Sequence, residues 1–455
     1  MKNFLIFILT LALAALLPLP AWAAEMTPQR EREIGRRFHM QLAATGALVD
    51  DPIITDYFRT VTGRVLKGAG LRPDRFNFYI LQRSGLNAFA VPGGYIYINT
   101  ETVYSLENEG QLAAIISHEA AHLTGNHFAR RLEAASITSA ASVAAMLAGL
   151  FVASRGGSAG ALGQALVAGG TGAGLQAMLA NSREDEAEAD AKGREYLVKA
   201  GYRPRDMYDA FRIMLDKTYH LSPNMPTYLT THPALTSRLA STFSDAAQAS
   251  PAPPDFRYLS FRDRVLAGYG DLQRAQNFFS RRLNADPKDH GALHGLGILA
   301  QRQQNLSRAD QLMGQALALA PGRQDYLADL GDLALKRHQP AAAKAYYEKA
   351  QNRLAVLGLA RASELLGDNN RAAALYDRAL QMGAEDYLLA LELSGRFFGK
   401  IGQRDKGHYF LGRFFAISGQ IDQAVFHYQQ AGGQFRAQAE GELKILGELK
   451  RENRK

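Results

Sequence analysis

The stretch ISHEAAHLTGNH, Ile116 to His127, decides how the chain is read. It puts three histidines and a glutamate within one short run of a protein that has 11 histidines in 455 residues. Leu112, Ile115, Ile116 and Leu123 recur at helical spacing, and Asn108 with Gln111 reads as an N-cap and its reciprocal partner. A helix over 111–132 is therefore predicted. His118 and His122 then project from one face, a turn apart, the spacing by which two imidazoles grip one zinc ion. Glu119 falls on the flank, in reach of a water on that ion. His127, five residues after His122, is expected to turn away from the zinc face and to be structural. The bare His-Glu-x-x-His pattern also fits a capped surface helix with solvated histidines, so further ligands have to be sought elsewhere.

The chain has no cysteine, which excludes a disulfide, a thiolate metal site, a cysteine nucleophile and a lipid-modified N-terminal cysteine. Any metal must be held by His, Asp and Glu. NSREDEAEADAKGREYL, Asn181 to Leu197, reads as a helix with acidic residues at 184, 185, 186, 188 and 190. Glu186 and Asp190 are four apart and share a face, so one can ligate a metal while the other orients a ligand histidine. Taken alone, the same residues fit an acidic helix start favoured by the helix dipole.

The ends of the chain carry different signals. Residues 1–23 have Lys2, an apolar run from Phe4 to Leu17 and the small residues Ala21 and Ala23, as in a signal peptide cleaved after Ala23. The apolar run is about 14 residues, short of the roughly 20 a membrane span needs. Export to the periplasm is expected. From Phe256 onward the chain reads as helices and short turns. Ala275, Ala309 and Ala343 recur every 34 residues, as do Pro287 with Pro321 and Gly297 with Gly331. That period is the one of tetratricopeptide repeats, stacked helical hairpins that hold peptides or partner proteins. The next equivalents, Ala372 and Ala379, come five residues early, so the later repeats read as degenerate. The Pro/Ala-rich stretch 244–255 reads as a linker, and 432–455 as a helical basic tail. The expected architecture is mainly α with a small β-sheet: a zinc metalloprotease domain over 24–243, then an α-helical repeat solenoid over 256–431.

The 47% hydrophobic and 21% charged content fits folded domains, and the net charge of +8 is spread along the chain rather than gathered in a block. No nucleic-acid partner is expected. Residues 134–181 are almost free of charge and rich in Ala, Gly, Ser and Thr. They read as a lid over the site with peripheral contact to a membrane surface, in preference to a spanning hairpin, because so few are Leu or Ile. GGTGAGL within them lacks the Lys-Ser/Thr of a phosphate loop.

Together these segments resemble the zinc metallopeptidase family that includes HtpX and the CAAX prenyl endoproteases. The resemblance covers residues 27 to 243. SREDEAEAD from Ser182 matches the family's third-ligand segment, NAFAVPGGYIYI from Asn87 the strand before the zinc helix, and THPALTSR the segment with His232 and Arg238. It implies one Zn2+ per chain on His118, His122 and Glu186, with Asp190 supporting. It also implies Glu119 as general base and Arg238 at the oxyanion. AVPGGYIYI would be an edge strand at which Asn87, Ala88, Pro92, Gly93 and Gly94 meet the substrate backbone. His232 would either occupy zinc's open position and hold the enzyme shut, or bind substrate or transition state. The exported, repeat-bearing branch of the family implies protein substrates, among them outer-membrane β-barrel proteins or their assembly machinery. A chaperone or scaffold with little proteolysis and a membrane-integral protease are the alternatives.

Overall fold

The computed structural model describes residues 26–134, 143, 181–221, 232, 235–247, 255–350, 352–383 and 387–452. The signal-peptide reading of 1–23, and nearly all of the segment read as a lid, lie outside the described residues. Two proline-led helices open the described chain, α1 (Pro28–Ala43) capped by Thr27 and α2 (Pro52–Gly68) capped by Asp51. A three-stranded sheet follows: β1 (Asn77–Leu81), β2 (Ala88–Val91) and β3 (Tyr95–Asn99), in the order β1-β3-β2. β3 runs parallel to β1 and antiparallel to β2. The turn between β2 and β3 needs Gly93 and Gly94, whose φ angles are +83° and +88°. A Cβ on Gly94 would sit 2.0 Å from the Arg75 carbonyl oxygen.

This sheet corrects one expectation. Tyr95 to Ile98 form the centre of the sheet, and the edge beside them is β2. The reason lies in Asn77–Leu81, which fills the other flank in parallel. The alternation of Tyr95–Ile98 describes a strand packed on both faces equally well. Tyr97 packs with Phe38 and Leu42 of α1, whereas Ile96 packs with Ala120 and Ala121 of the zinc helix.

The helix predicted over 111–132 is two helices, α3 (Thr100–Ser105) preceding them: α4 (Glu109–Thr124) and α5 (His127–Ala134). The break falls at Gly125 and Asn126, the latter at φ +54°. Asn108 caps α4 as expected, its Oδ1 accepting from Gln111 N at 3.0 Å. The reciprocal bond is displaced by one residue, because Gln111 Oε1 accepts from Glu107 N at 2.7 Å. α4 is buried on nearly all sides. Across it lies α6 (Arg183–Lys199), with the Ser182 and Asp185 capping box. Gly193 lets the two helices close up: a Cβ there would be 3.0 Å from His118 Cα. α7 (Arg205–Leu221) and α8 (Leu235–Ala247) complete this part, so the stretch read as linker is helical as far as Ala247.

The repeats begin at α9 (Phe256–Tyr269) and continue as α10 (Leu272–Ala285), α11 (His290–Arg302), α12 (Leu306–Leu319), α13 (Gln324–Lys336) and α14 (Pro340–Tyr347). Ala275, Ala309 and Ala343 are fully buried at equivalent hairpin positions. Gly297 and Gly331 sit where a Cβ would strike Met313 and Tyr347. Pro287 and Pro321 follow the ends of α10 and α12. α14 has 8 residues where α10 and α12 have 14. That shortening is why the landmarks then arrive early. α15 (Arg353–Leu365), α16 (Asn369–Gln381), α17 (Leu388–Lys400), α18 (Arg404–Ile417) and α19 (Ile421–Gln430) extend the stack, and α20 (Arg436–Glu452) ends it.

The array packs on the sheet-bearing part. Tyr258, Phe261 and Val265 of α9 share one apolar core with Ile54, Phe58 and Leu112. Arg264 reaches Asp51 at 2.7 Å, and Arg353 and Tyr387 both bond Asp56. Among the described residues no helix is long and apolar enough to cross a membrane.

Candidate metal centre

α4, α6 and the segment before α8 bring four side chains together: His118, His122, Glu186 and His232. One ligand atom from each lies within 4.8 Å of the others, and all four residues are buried. His118 Nε2 and His122 Nε2 face each other at 3.0 Å. Glu186 Oε1 is 3.3 Å from His122 Nε2, and Oε2 is 3.6 Å from His118 Nε2. His232 Nδ1 lies 2.9 Å from Glu186 Oε1 and 3.4 Å from His118 Nε2. Three imidazole nitrogens and a carboxylate that converge on one point in a dry interior can all be answered at once by a shared cation. The donor set of imidazoles and one carboxylate is the one zinc takes. The residues fit the ion.

The surrounding groups fix these donors. Asp190 Oδ1 stands 3.0 Å from His118 Nδ1, the nitrogen away from the cluster. Arg238 binds both carboxylates, with Nη1 2.5 Å from Glu186 Oε2 and Nε 2.8 Å from Asp190 Oδ2. Its guanidinium lies 4.4 Å from the centroid of the Phe211 ring, which also meets His118 edge-on. Burial and the Arg238 charge work against ionisation of His118, yet the bonds from Asp190 and Glu186 carry it up to about 9. Burial pushes His122 well below its ordinary value. Glu186 is opposed by burial but drawn far down by His232 and the other two histidines.

Glu119 is different. Burial raises its pKa, and neither carboxylate oxygen has a hydrogen-bond partner among the described residues. His232 Nε2 lies 3.6 Å from Glu119 Oε1. A carboxylate kept dry, raised and unpartnered beside a metal cradle is poised to move a proton.

The strand residues are placed less uniformly. Asn87 is buried and its backbone bonds Thr102 Oγ1 through both N–H and C=O, at 2.8 and 2.9 Å. Ala88 opens the edge strand β2. Pro92, Gly93 and Gly94 pack on the protein's own backbone: a Cβ on Gly93 would lie 2.7 Å from Arg32 Cα, and one on Gly35 2.2 Å from Pro92 O. The nearby cavity of about 1300 Å3, lined by Arg36, Gly94, Leu123 and Thr124 among others, has none of the four clustered residues in its wall.

Two contacts were not anticipated. Asn181 Nδ2 lies 3.2 Å from His232 Nδ1 and 3.5 Å from His122 Nε2. It adjoins the acidic segment, but nothing in an isolated asparagine marks it. His127, expected to turn away, meets His122 directly, Nδ1 to Nδ1 at 2.7 Å. The turn at Gly125 and Asn126 reverses the chain there, which continuous helical spacing would not do.

Residues 53–243 match the model of peptidase family M48. The chain is 27% identical over 361 residues to the beta-barrel assembly-enhancing protease of Yersinia pestis, covering 77% of this chain and 73% of that protein. It is 25% identical over 414 residues to the protein of the same name from Escherichia coli strain K12, covering 89% and 84%. Among solved structures, PilW, a type IV pilus biogenesis factor, aligns at 22% identity and a TM-score of 0.33 over 41% of this chain and 91% of that one. A likeness of that size adds nothing to the repeat reading, which the hairpins carry by themselves.

Proposed function

From a chain that carries a peptidase family M48 domain and is a zinc metalloendopeptidase, we propose an exported protease that cuts stalled outer-membrane β-barrel clients, and that rests with His232 closing the metal cradle. The name borne by the relatives supports the client class, and the leader-like residues 1–23 support export to the periplasm. The repeats are the surface that recruits the client or its assembly machinery. The observation that carries the resting state is His232 itself: it is the fourth member of a buried cluster that needs only three protein ligands for catalysis.

In this reading His118, His122 and Glu186 hold the ion, with Asp190 and Arg238 fixing their orientation. Zinc there supplies a Lewis acid that makes water nucleophilic near neutral pH and polarises a peptide carbonyl. Glu119 takes the proton of the attacking water and returns it to the leaving amine nitrogen. Its raised pKa suits both halves of that task. Arg238, committed to Glu186 and Asp190, adds positive charge where the oxyanion forms. An extended substrate adds to the edge strand β2 from Ala88 onward, while Asn87, whose backbone is bonded to Thr102 Oγ1, and Pro92, Gly93 and Gly94 shape the ends that hold that strand in place.

The test is turnover of an unfolded β-barrel protein by the mature chain, with zinc content measured alongside. Glu119→Gln should keep its zinc and lose roughly 10²- to 10⁴-fold in rate. His232→Ala should keep zinc and cut faster than the parent. If His232→Ala is slower, His232 serves substrate or transition state, and the resting-state reading fails. If clients are held soluble but never cut, the chain works as a chaperone.

A further inference from the structure

His118 has an evident orienting partner in Asp190, and the second imidazole, His122, meets another histidine at its far nitrogen. A histidine that ligates through one nitrogen usually donates its other N–H to a fixed acceptor, which sets the tautomer and the ring plane. The nitrogen of His122 that faces the cluster is Nε2, so its proton sits on Nδ1. That Nδ1 lies 2.7 Å from Nδ1 of His127, a distance at which one nitrogen donates and the other accepts. With His122 as donor, His127 accepts at Nδ1 and carries its own proton on Nε2. This second nitrogen lies 3.3 Å from Glu188 Oε2, within ion-pair range although off the line of a hydrogen bond.

We propose that His127 is a positioning residue for His122, doing for the second metal-side imidazole what Asp190 does for the first, with Glu188 behind it. The inference rests on the metallopeptidase reading and adds a residue to it. His127 is 1% exposed despite lying just past a helix end. The local backbone is shaped to put it there. α4 stops at Thr124, Asn126 takes φ +54°, and the chain turns back so that the His127 ring lies against the helix it has just left. Gly125 leaves the space: a Cβ there would be 2.3 Å from His127 Nε2 and 2.6 Å from Cδ2. Any side chain at position 125 and the His127 ring cannot both keep their places.

The experiment is zinc affinity of the full chain by chelator competition, with the visible spectrum of the cobalt-substituted protein as a second readout of ligand arrangement. His127→Leu should weaken zinc about 10- to 100-fold and shift the cobalt bands. His127→Asn, whose carboxamide oxygen can accept from His122 Nδ1, should recover most of that loss. Gly125→Ala should resemble His127→Leu, because it displaces the same ring. His122→Ala separates the two layers of argument. If it keeps parental affinity, the metal reading itself is wrong. If it loses zinc while His127→Leu does not, only the positioning role is overturned. Equal losses for Leu and Asn would reduce His127 to packing and overturn it as well. Should His127→Leu fail to fold, Asn must hold zinc and Gly125→Ala must lose it for the proposal to stand.

Discussion

In the repeats, Arg264 lies between Asp51 and Asp329, at 2.7 and 2.5 Å, and His294 Nε2 rests on the same Asp329 at 2.7 Å. In the metal centre, His118, His122 and His232 turn nitrogens on one another around Glu186, and both oxygens of Glu119 find no hydrogen-bond partner among the described residues. Both are buried clusters of the same residue types. They differ in how completely each charge is answered. Around Arg264 every nitrogen named faces a carboxylate, and although burial opposes it, Asp329 is held below the ordinary carboxylate range by Arg264 and His294. Around Glu119 burial outweighs the nearby His232, His118 and Arg238, and its carboxylate is bonded to none of them. Buried charge alone therefore marks nothing. An unanswered carboxylate among convergent nitrogens marks a place for an ion.

That contrast can be broken in three ways. Arg264→Met should be the costliest for the fold, because it strands Asp51 and Asp329 in the interior. A loss of about 3–5 kcal/mol in urea unfolding is expected, with zinc stoichiometry unchanged. A neutral result would mean the repeat cluster is no better satisfied than the metal centre. Removing zinc by chelation should come next. For ion supplied at about 100 to 1,000 times its Kd, the loss is about 2.7–4.1 kcal/mol, and it should vanish in a His118→Ala, His122→Ala double variant. Persistence of the loss in that variant would place the ion elsewhere. The smallest effect concerns Asp332, which burial pushes up to about 6 from 3.8 although Tyr347 Oη donates to it at 2.5 Å. A folded value above the unfolded one means the contribution is present below about 3.8 and is lost as pH rises through about 6. Asp332→Asn should thus stabilise by roughly 1–3 kcal/mol at alkaline pH and do little in acid. Stabilisation that is the same at both ends of the pH range would show that this aspartate is not held protonated.

Much of the centre was legible because helices convert sequence spacing into faces. The four-residue intervals of His118 with His122 and of Glu186 with Asp190 name one face each, and Gly193 brings the two helices together. The 34-residue recurrence of Ala275, Ala309 and Ala343 was legible for the same reason. His232 and Arg238 carry no such interval, and only the likeness of THPALTSR to a known segment pointed to them. What escaped was set by single backbone angles and by neighbours distant in sequence. His127 needed the left-handed Asn126 to come back to His122. The central place of Tyr95–Asn99 needed a parallel partner, Asn77–Leu81, that alternation within one strand does not reveal.

α2 touches both halves of the molecule. At one end Asp51 and Asp56 hold Arg264, Arg353 and Tyr387 of the repeats. Further along, Tyr57 bonds Glu109, and Arg64 Nη1 reaches the same carboxylate at 2.5 Å. Glu109 is the first residue of the helix that carries His118, Glu119 and His122. The helix is thus a shared strut: the repeats are fastened to it at Asp56 and the first turn of the zinc helix at Tyr57 and Arg64, so both are referred to one rod of the protein.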